Sequence, residues 1–198
     1  MAGQYFEADP TVASRPASVE LALPALRFSL RVDRGVFSAG RVDPGTLALL
    51  REAPPPPPAG ELVDLGCGYG PITCTLAARS TGARVWAVDV NSRARELTAA
   101  NAARLGLDNV SVVDPGEVPP GLAFDGLWSN PPIRIGKESL HDLLEQWLPR
   151  LTPAGTAWLV VQRHLGADSL AAWLRATGWS ADRVASKQGY RVLRVARA

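Results

Sequence analysis

Short apolar runs alternate with amphipathic stretches over most of the chain, from residue 61 onwards. The runs have the length and the β-branched composition of buried strands, and the stretches between them repeat apolar residues at helical spacing. Strands that alternate with helices in this way predict a mainly parallel sheet covered by helices on both faces. The predicted strands are 61–66, 84–90, 109–114, 124–129 and 156–162, and the predicted helices are 71–80, 92–106, 137–151 and 168–178.

The chain ends in two further apolar runs, 180–187 and 190–197, which are separated only by Gln188 and Gly189. So short a link joins antiparallel neighbours, because parallel strands need a long crossover. The predicted fold class is therefore α/β, with a mostly parallel sheet whose C-terminal edge is an antiparallel hairpin.

The first 53 residues follow a different pattern. Two apolar stretches, 25–32 and 36–38, are separated by Asp-Arg-Gly, which favours a turn and predicts a short N-terminal β extension. Asp43 and Pro44 have the residue types of a helix cap and a first helical position. The five prolines at 54–58 predict a stiff extended spacer. The predicted organisation is an N-terminal β-hairpin and helix extension at 1–53, a polyproline linker at 54–60 and the main domain at 61–198.

Composition narrows the function classes. With 46% hydrophobic and 20% charged residues, the chain has the composition of a soluble globular protein. No apolar stretch approaches the length of a membrane helix, and the N-terminus lacks the basic and apolar regions of a signal peptide. Two cysteines and two histidines make a disulfide framework, a zinc site or a serine–histidine pair improbable, so we expect a cytoplasmic protein without a metal. A net charge of +2 permits a nucleic-acid partner without indicating one.

A glycine-rich turn, "VDLGCGYGPIT", follows the first strand of the main domain. Gly66 and Gly68 would let backbone approach a ligand, and Gly70 would let the next helix begin close to the strand. Pro71 occupies the third glycine position of the dinucleotide fingerprint, which argues against a nicotinamide oxidoreductase. Asp64 would repel a pyrophosphate but suits the positive amino or sulfonium region of another cofactor.

Two more carboxylates end neighbouring strands. Asp89, followed by Val90, ends the second strand, where an acidic side chain accepts hydrogen bonds from ribose hydroxyls. Asn91 is the better candidate for the cap of the helix that follows. Asp114 ends the third strand, and two interpretations stay open for it: a contact to an adenine amino group, or a turn carboxylate before Pro115.

The fourth strand ends in "SNPPIRIGK". Proline neither donates to a β-ladder nor continues a helix, and it restricts the residue before it to an extended conformation. Asn130 is therefore predicted to be held in one backbone shape at the end of a strand, where ligands of parallel sheets bind. An exocyclic amine needs two acceptors for its two hydrogens when its lone pair points at a methyl donor. We interpret the Asn130 side-chain oxygen and the Pro131 carbonyl as these acceptors, with Pro132 restricting the backbone that aims them.

These motifs together resemble the S-adenosylmethionine-dependent methyltransferases of the Rossmann-like class. More narrowly, "VFSAGRVDPGT", "DLGCGYGPI", "SNPPIRIGK" and "KQGYRVLRVAR" are similar to the small-domain family of ribosomal RNA guanine-N2 methyltransferases, from about Tyr5 to the C-terminus. Larger members carry a second, degenerate copy of this domain, for which we expect no room in 198 residues. Ile133 departs from the aromatic residue that many exocyclic-amine methyltransferases have there, and Pro115 departs from the usual glycine.

The resemblance implies a Rossmann-like methyltransferase sheet, S-adenosyl-L-methionine as cofactor and ribosomal RNA or a ribosomal subunit as partner. Asn130, Pro131, Pro132 and Ile133 are the predicted catalytic residues, with Ile133 packed against the base. The predicted acceptor-binding residues are Phe37, Ser38, Arg134 and Lys137, although solvated surface charge explains Lys137 equally well. The predicted cofactor-binding residues are Thr46, Asp64, Gly66, Cys67, Gly68, Gly70, Asp89, Val90, Asp114 and Asn130.

Two other functions stay open. Asn-Pro-Pro motifs also serve methylation of protein glutamine amides and of adenine in nucleic acids, although those families generally place an aromatic residue where Ile133 stands. A non-catalytic RNA-binding module of the same fold is the third hypothesis, and the intact Asp89 and Asn130 argue against it. Four arginines between residues 27 and 41 form an RNA-facing patch or ordinary surface charge.

Overall fold

The computed structural model of the protein describes residues 12–38, 40–132 and 136–198. The strands are β1 (Ala17–Leu23), β2 (Leu26–Val32), β3 (Ala59–Leu65), β4 (Gly82–Val88), β5 (Val110–Val113), β6 (Phe124–Ser129), β7 (Leu151–Gln162), β8 (Trp179–Lys187) and β9 (Tyr190–Arg197). The helices are α1 (Pro44–Glu52), α2 (Pro71–Arg79), α3 (Ser92–Arg104), α4 (Lys137–Trp147) and α5 (Ala167–Ala176).

Seven strands form one sheet in the order β5-β4-β3-β6-β7-β9-β8. The strands from β5 to β7 are parallel to one another, and β9 is antiparallel to both β7 and β8. The predicted α/β class, with a mostly parallel sheet and an antiparallel C-terminal hairpin, is confirmed. Each strand and helix that the hydrophobic pattern predicts from residue 61 onwards is present, with some ends shifted by a few residues.

The N-terminal hairpin is present, but its predicted second strand at 36–38 is wrong. β2 pairs instead with β1, which precedes it, through a turn at Pro24 and Ala25. β1 buries Val19, Leu21 and Leu23 in strict alternation, which is the period-2 pattern of a strand with one buried face. The turn that Asp33 suggested is present at Arg34 and Gly35, but residues 36–38 after it form no strand. The Asp33 carboxylate accepts from the N–H groups of Arg34 and of Arg15, which precedes β1.

Each face of the sheet carries its own apolar cluster. One cluster joins the β1–β2 hairpin and helices α1, α2 and α3 to one face of the sheet, while the other packs α4 and α5 against the opposite face. Helix α1 lies against β7 and β9, so the segment before the proline run shares a core with the main sheet. The division at 54–60 stays a prediction about chain organisation.

The parallel strands all end at the same edge of the sheet. The direction in which successive strands are added to the sheet reverses next to β3. The chain proceeds from β3 to β4 and β5 on one side, and later to β6 and β7 on the other. Such a reversal leaves a crevice at the carboxyl ends of the two strands, which is where open α/β sheets bind their ligands. No helix among the described residues is long and apolar enough to cross a membrane.

Candidate active site

A cavity of about 880 Å³ opens at the carboxyl ends of β3, β4 and β6. Most of the predicted site residues contribute to its wall. The predicted residues that line the cavity are Phe37, Ser38, Thr46, Gly66, Cys67, Gly68, Asp89, Val90, Asn130, Pro131 and Pro132. Asp64, Gly70, Asp114 and Lys137 are not part of the wall, and Ile133 and Arg134 lie outside the described residues.

The glycine-rich turn after β3 forms the floor of the cavity, and at Gly66 this floor is backbone without a side chain. Gly66 and Cys67 donate their N–H groups to the Val88 carbonyl, which ties the turn to the end of β4. Gly66 has a φ of +79°, and a Cβ added there would meet nothing within 4 Å, so its lack of a side chain leaves open space above the backbone. Gly70, at the start of α2, instead lies against Thr98 of α3, where a Cβ would approach the side chain to 3.0 Å.

Asp89 is held in place by backbone donors. Its Oδ2 accepts from Gly68 N–H at 2.9 Å, and its Oδ1 accepts from Asn91 N–H at 2.9 Å. Asn91 caps α3 by accepting from Ala94 N–H, as the sequence predicts, so Asp89 is not needed as a cap. A carboxylate oxygen accepts more than one hydrogen bond, and each oxygen of Asp89 therefore retains capacity for a ligand in the cavity.

Asp64 lies fully buried beneath the glycine turn. Its Oδ2 accepts from the N–H and the hydroxyl of Thr73, at 2.9 and 2.6 Å, while Oδ1 has no hydrogen-bond partner among the described residues. Burial is the largest influence on this group and raises the pKa of Asp64 to about 7. Asp64 therefore connects β3 to the first turn of α2 through its hydrogen bonds with Thr73. A contact between Asp64 and a cofactor stays a prediction.

Asp114 also has local partners. One carboxylate oxygen accepts from Gly116 N–H at 3.0 Å and caps a short 3-10 turn, and the other pairs with Arg95 at 3.1 Å. Pro115, rather than Asp114, reaches the cavity wall. Of the two interpretations left open for Asp114, the geometry supports the turn carboxylate.

Asn130 follows β6 with both hydrogens of its amide engaged. Its Nδ2 donates to Asp43 Oδ2 at 2.9 Å and to Thr46 Oγ1 at 3.0 Å. A carboxylate only accepts, so this contact fixes which end of the amide faces Asp43. The remaining group, Oδ1, is an acceptor held in one orientation beside the Pro131 backbone, and all four of these residues line the cavity.

Asp43 is a site residue that no pattern in the sequence indicates. The Asp43-Pro44 pair predicts only the cap of α1, which is confirmed by the hydrogen bond from Thr46 N–H. The same carboxylate holds Asn130, which lies 87 positions along the chain, and accepts from the Tyr190 hydroxyl at 3.5 Å. Contacts over such separations leave no local pattern in the sequence.

Helix α4 supplies a second wall of the cavity, which no motif in the sequence indicates. The spacing of its lining residues places them on one helical face. Two polar members, Asp142 and Gln146, lie beside the apolar Leu143 and Trp147. At the rim, three large apolar side chains are nearly half exposed: Phe37 at 47%, Val90 at 43% and Leu165 at 45%. A cavity with mainly apolar walls and a few hydrogen-bonding groups suits a flat heterocycle that carries such groups itself.

Asp64→Asn is expected to flatten the pH dependence of stability in the ligand-free protein. Burial raises the pKa of Asp64 from its ordinary value of 3.8 to about 7, so the folded protein keeps a proton that the unfolded chain releases above pH 3.8. This contribution to the free energy of unfolding is full below that pH and is lost as the pH rises through about 7. Each pKa unit of difference is worth about 1.4 kcal/mol.

Urea unfolding between about pH 5 and pH 8 measures this effect, because the slope of stability against pH reports the difference in bound protons. We expect the wild-type protein to lose stability over this range more steeply than Asp64→Asn. Asp182→Asn removes an exposed carboxylate and serves as the control, with the wild-type slope expected. Equal slopes for the wild type and Asp64→Asn would contradict the raised pKa of Asp64.

Comparisons with known proteins find related sequences. Residues 27–194 match the family model described as the methyltransferase small domain. The uncharacterized protein YbxB of Bacillus subtilis is 32% identical over 98% of both chains. Ribosomal RNA small subunit methyltransferase C of Hahella chejuensis is 38% identical over 66% of this chain, and the match spans 39% of that protein. Its counterpart in Pseudomonas aeruginosa is 30% identical over 78% of this chain and 53% of that protein.

Solved structures show the same fold. The 16S rRNA N2 methyltransferase RsmC of T. thermophilus, in complex with AdoMet and guanosine, superposes with a TM-score of 0.75 at 22% identity, over 96% of this chain and 52% of that one. A ribosomal protein methylase of Lactobacillus delbrueckii superposes with a TM-score of 0.61 at 19% identity, over 79% of this chain and 84% of that one. The chain thus spans about half the length of the small subunit methyltransferases that it resembles.

Proposed function

The chain belongs to the methyltransferase small domain family, and we propose that it methylates the exocyclic N2 amine of a guanine in ribosomal RNA of the small subunit. At the coarser level it is an S-adenosylmethionine-dependent methyltransferase. The observation that carries the finer proposal is the orientation of Asn130, whose amide hydrogens are both engaged by Asp43 and Thr46. Its oxygen is thereby left as a fixed acceptor in the cavity.

The cavity fits the cofactor on its β3–β4 side. The backbone floor at Gly66 offers space without a side chain, and the carboxylate oxygens of Asp89 keep capacity for two ribose hydroxyls. Val90 adds an exposed apolar surface beside them. S-adenosylmethionine supplies an electrophilic methyl group on a sulfonium when bound. The residues at the end of β6 then have to bring a nucleophile to that methyl in the correct orientation.

The Asn-Pro-Pro segment provides this orientation. The lone pair of an exocyclic amine is delocalised into the ring, so the nitrogen attacks only when it becomes pyramidal. Two acceptors that bind its two hydrogens favour this shape, and Asn130 Oδ1 and the Pro131 carbonyl are the acceptors we assign. Pro131 and Pro132 have no N–H groups that compete for these oxygens. Correct orientation of two reactants contributes roughly 7–11 kcal/mol to lowering a barrier.

The site works without a strong general base. None of the described residues that line the cavity is a histidine or a lysine. His141 faces away and stacks on Trp173 at a ring distance of 3.7 Å. After methyl transfer the nitrogen carries a positive charge and becomes acidic, so it loses its proton readily to water or to a cavity carboxylate. Orientation rather than base strength is therefore the main contribution that the protein makes.

Three features support guanine in ribosomal RNA as the acceptor. The relatives that match over two thirds or more of this chain include small subunit methyltransferases, and the RsmC structure holds guanosine. The polar face of α4, with Asp142 and Gln146, offers an acceptor that suits the N1–H of guanine. Adenine presents an acceptor at N1 and would meet the Asp142 carboxylate unfavourably.

We expect methylation to appear on guanine N2 when the purified protein and labelled S-adenosylmethionine react with ribosomal subunits and with naked ribosomal RNA. A paired guanine buries its N2 edge, so the enzyme has to take the base out of its stack, at a cost of a few kcal/mol. Mass spectrometry of nucleosides and of peptides measures the product. Label on adenine or on a protein glutamine, with none on guanine N2, would reject the proposed acceptor and favour the alternative.

A further inference from the structure

A second concave surface adjoins the cavity on the side of β7. We call it the basic cleft; its volume is about 410 Å³, and it lies between the end of β7 and the β8–β9 turn. Four of its lining residues carry positive side chains, and none of the described lining residues is acidic. Its lining residues are Arg163, Arg183, Ser186, Lys187, Gln188, Gly189, Tyr190 and Arg191.

Two of the four positive charges are unbalanced within the described part of the chain. Arg191 pairs with Asp168, and Lys187 lies 3.8 Å from Glu52 while its side chain remains 60% exposed. Arg163 and Arg183 are exposed and form no ion pair with any described residue. The cleft therefore carries a net positive charge that faces solvent.

The basic cleft is continuous with the acceptor side of the cavity. Tyr190 lines both, and Gln162, which ends β7 in the cavity wall, is followed directly by Arg163 in the cleft. Gly66 and Asp89 directly follow β3 and β4, so they lie on the side of Asn130 that is opposite to the basic cleft. A group bound in the cleft would thus lie beyond the acceptor base and not beside the cofactor.

The cavity itself repels phosphate. Its described charged residues, Asp43, Asp89 and Asp142, are all acidic. A nucleotide whose base enters the cavity must therefore keep its phosphates outside, and the adjoining basic cleft is a surface of opposite charge beside it. Arginine binds phosphate oxygens with paired, charge-assisted hydrogen bonds, which suits Arg163 and Arg183.

We propose that the basic cleft binds a backbone phosphate of the RNA next to the methylated nucleotide. This inference rests on the proposed function, since it takes RNA as the acceptor. The cleft fixes the position of the chain while the base occupies the cavity, so its contribution is to affinity and register rather than to the methyl transfer step.

The test measures binding of a short fluorescent single-stranded RNA by anisotropy at several salt concentrations. For Arg163→Glu/Arg183→Glu we expect the affinity to fall about 10-fold or more. We also expect the slope of log affinity against log salt to become shallower by about 0.7, as for one lost phosphate contact on a single strand. Affinity for S-adenosylmethionine, measured by calorimetry, should equal that of the wild type, which also shows that the variant is folded.

Arg84→Glu is the matched control, because Arg84 is exposed near the amino end of β4, at the opposite edge of the sheet. Reversing the charge of Arg84 should weaken RNA binding less than either single substitution in the cleft, Arg163→Glu or Arg183→Glu. If the control and the cleft variants lose RNA affinity equally, the proposal that the basic cleft binds phosphate is wrong. RNA would then still be the proposed acceptor. A wild-type protein that binds no RNA would instead contradict the proposed function together with the cleft.

Discussion

Asn130→Ala is expected to lower the turnover number by about 10²-fold or more, since it removes a preoriented polar contact at the reacting centre. The variant should bind S-adenosylmethionine nearly as tightly as the wild type. Although Asn130 is also a predicted cofactor-binding residue, this mechanism assigns its side chain to the acceptor amine, and the main cofactor contacts lie at the ends of β3 and β4. Steady-state methyl transfer at saturating cofactor and RNA measures the turnover number, and calorimetry measures the cofactor affinity. Turnover near the wild-type value would contradict the orientation mechanism.

Asp89→Ala provides the contrasting variant. It removes hydrogen bonds to a charged group, which are worth about 1.5–3 kcal/mol, so cofactor affinity should fall roughly 10- to 100-fold. At saturating cofactor its turnover should recover in part, which Asn130→Ala cannot do. The two variants thus separate binding of the donor from alignment of the acceptor.

Asn130→Asp illustrates what the structure adds to the sequence. Considered alone, the substitution keeps an acceptor oxygen and looks mild. In the structure the Asn130 amide nitrogen lies 2.9 Å from Asp43 Oδ2, and an aspartate would place two carboxylates in contact there. Like charges at this distance repel, so we expect Asn130→Asp to lose most of its activity at neutral pH.

The sheet could be predicted from the sequence because each strand and helix is indicated by residues that are close together in the chain. Apolar runs and helical periodicity repeat along the chain, and the cofactor and acceptor motifs follow strands whose carboxyl ends must meet at one edge. The hairpin partner of β2 was missed because Asp33-Arg34-Gly35 has the residue types of a hairpin turn. A turn forms there, but residues 36–38 after it form no strand, and β2 pairs with the strand that precedes it.

The site could be predicted only in part, because some of its contacts join residues that are far apart in the chain. Asn130 and Asp89 stand at strand ends, and the structure places both in the cavity wall. Asp114 also stands at a strand end, but its oxygens are engaged by the adjacent turn and by Arg95. The contacts of Asp43 with Asn130 and Tyr190 join three distant parts of the chain, and only the folded structure reveals them.

Asp43→Ala is expected to lower the turnover number by about 10²-fold as well, because a small misplacement of an orienting group is enough for such a loss. Asp43 touches neither donor nor acceptor in this mechanism and acts as a positioning residue. Without its carboxylate, the Asn130 amide keeps only Thr46 as a partner and is free to turn its hydrogens towards the cavity. Methyl transfer at saturating cofactor measures the loss, with cofactor affinity unchanged.

Two further substitutions separate positioning from capping of α1. Asp43→Ser keeps a good helix cap, worth about 1 kcal/mol, but its side chain is too short to hold Asn130, so stability should be kept and turnover lost. Asp43→Asn keeps both the cap and an acceptor for the Asn130 amide, so it should retain most of the activity. If Asp43→Ser is fully active, the positioning role is wrong, since the cap alone then accounts for Asp43.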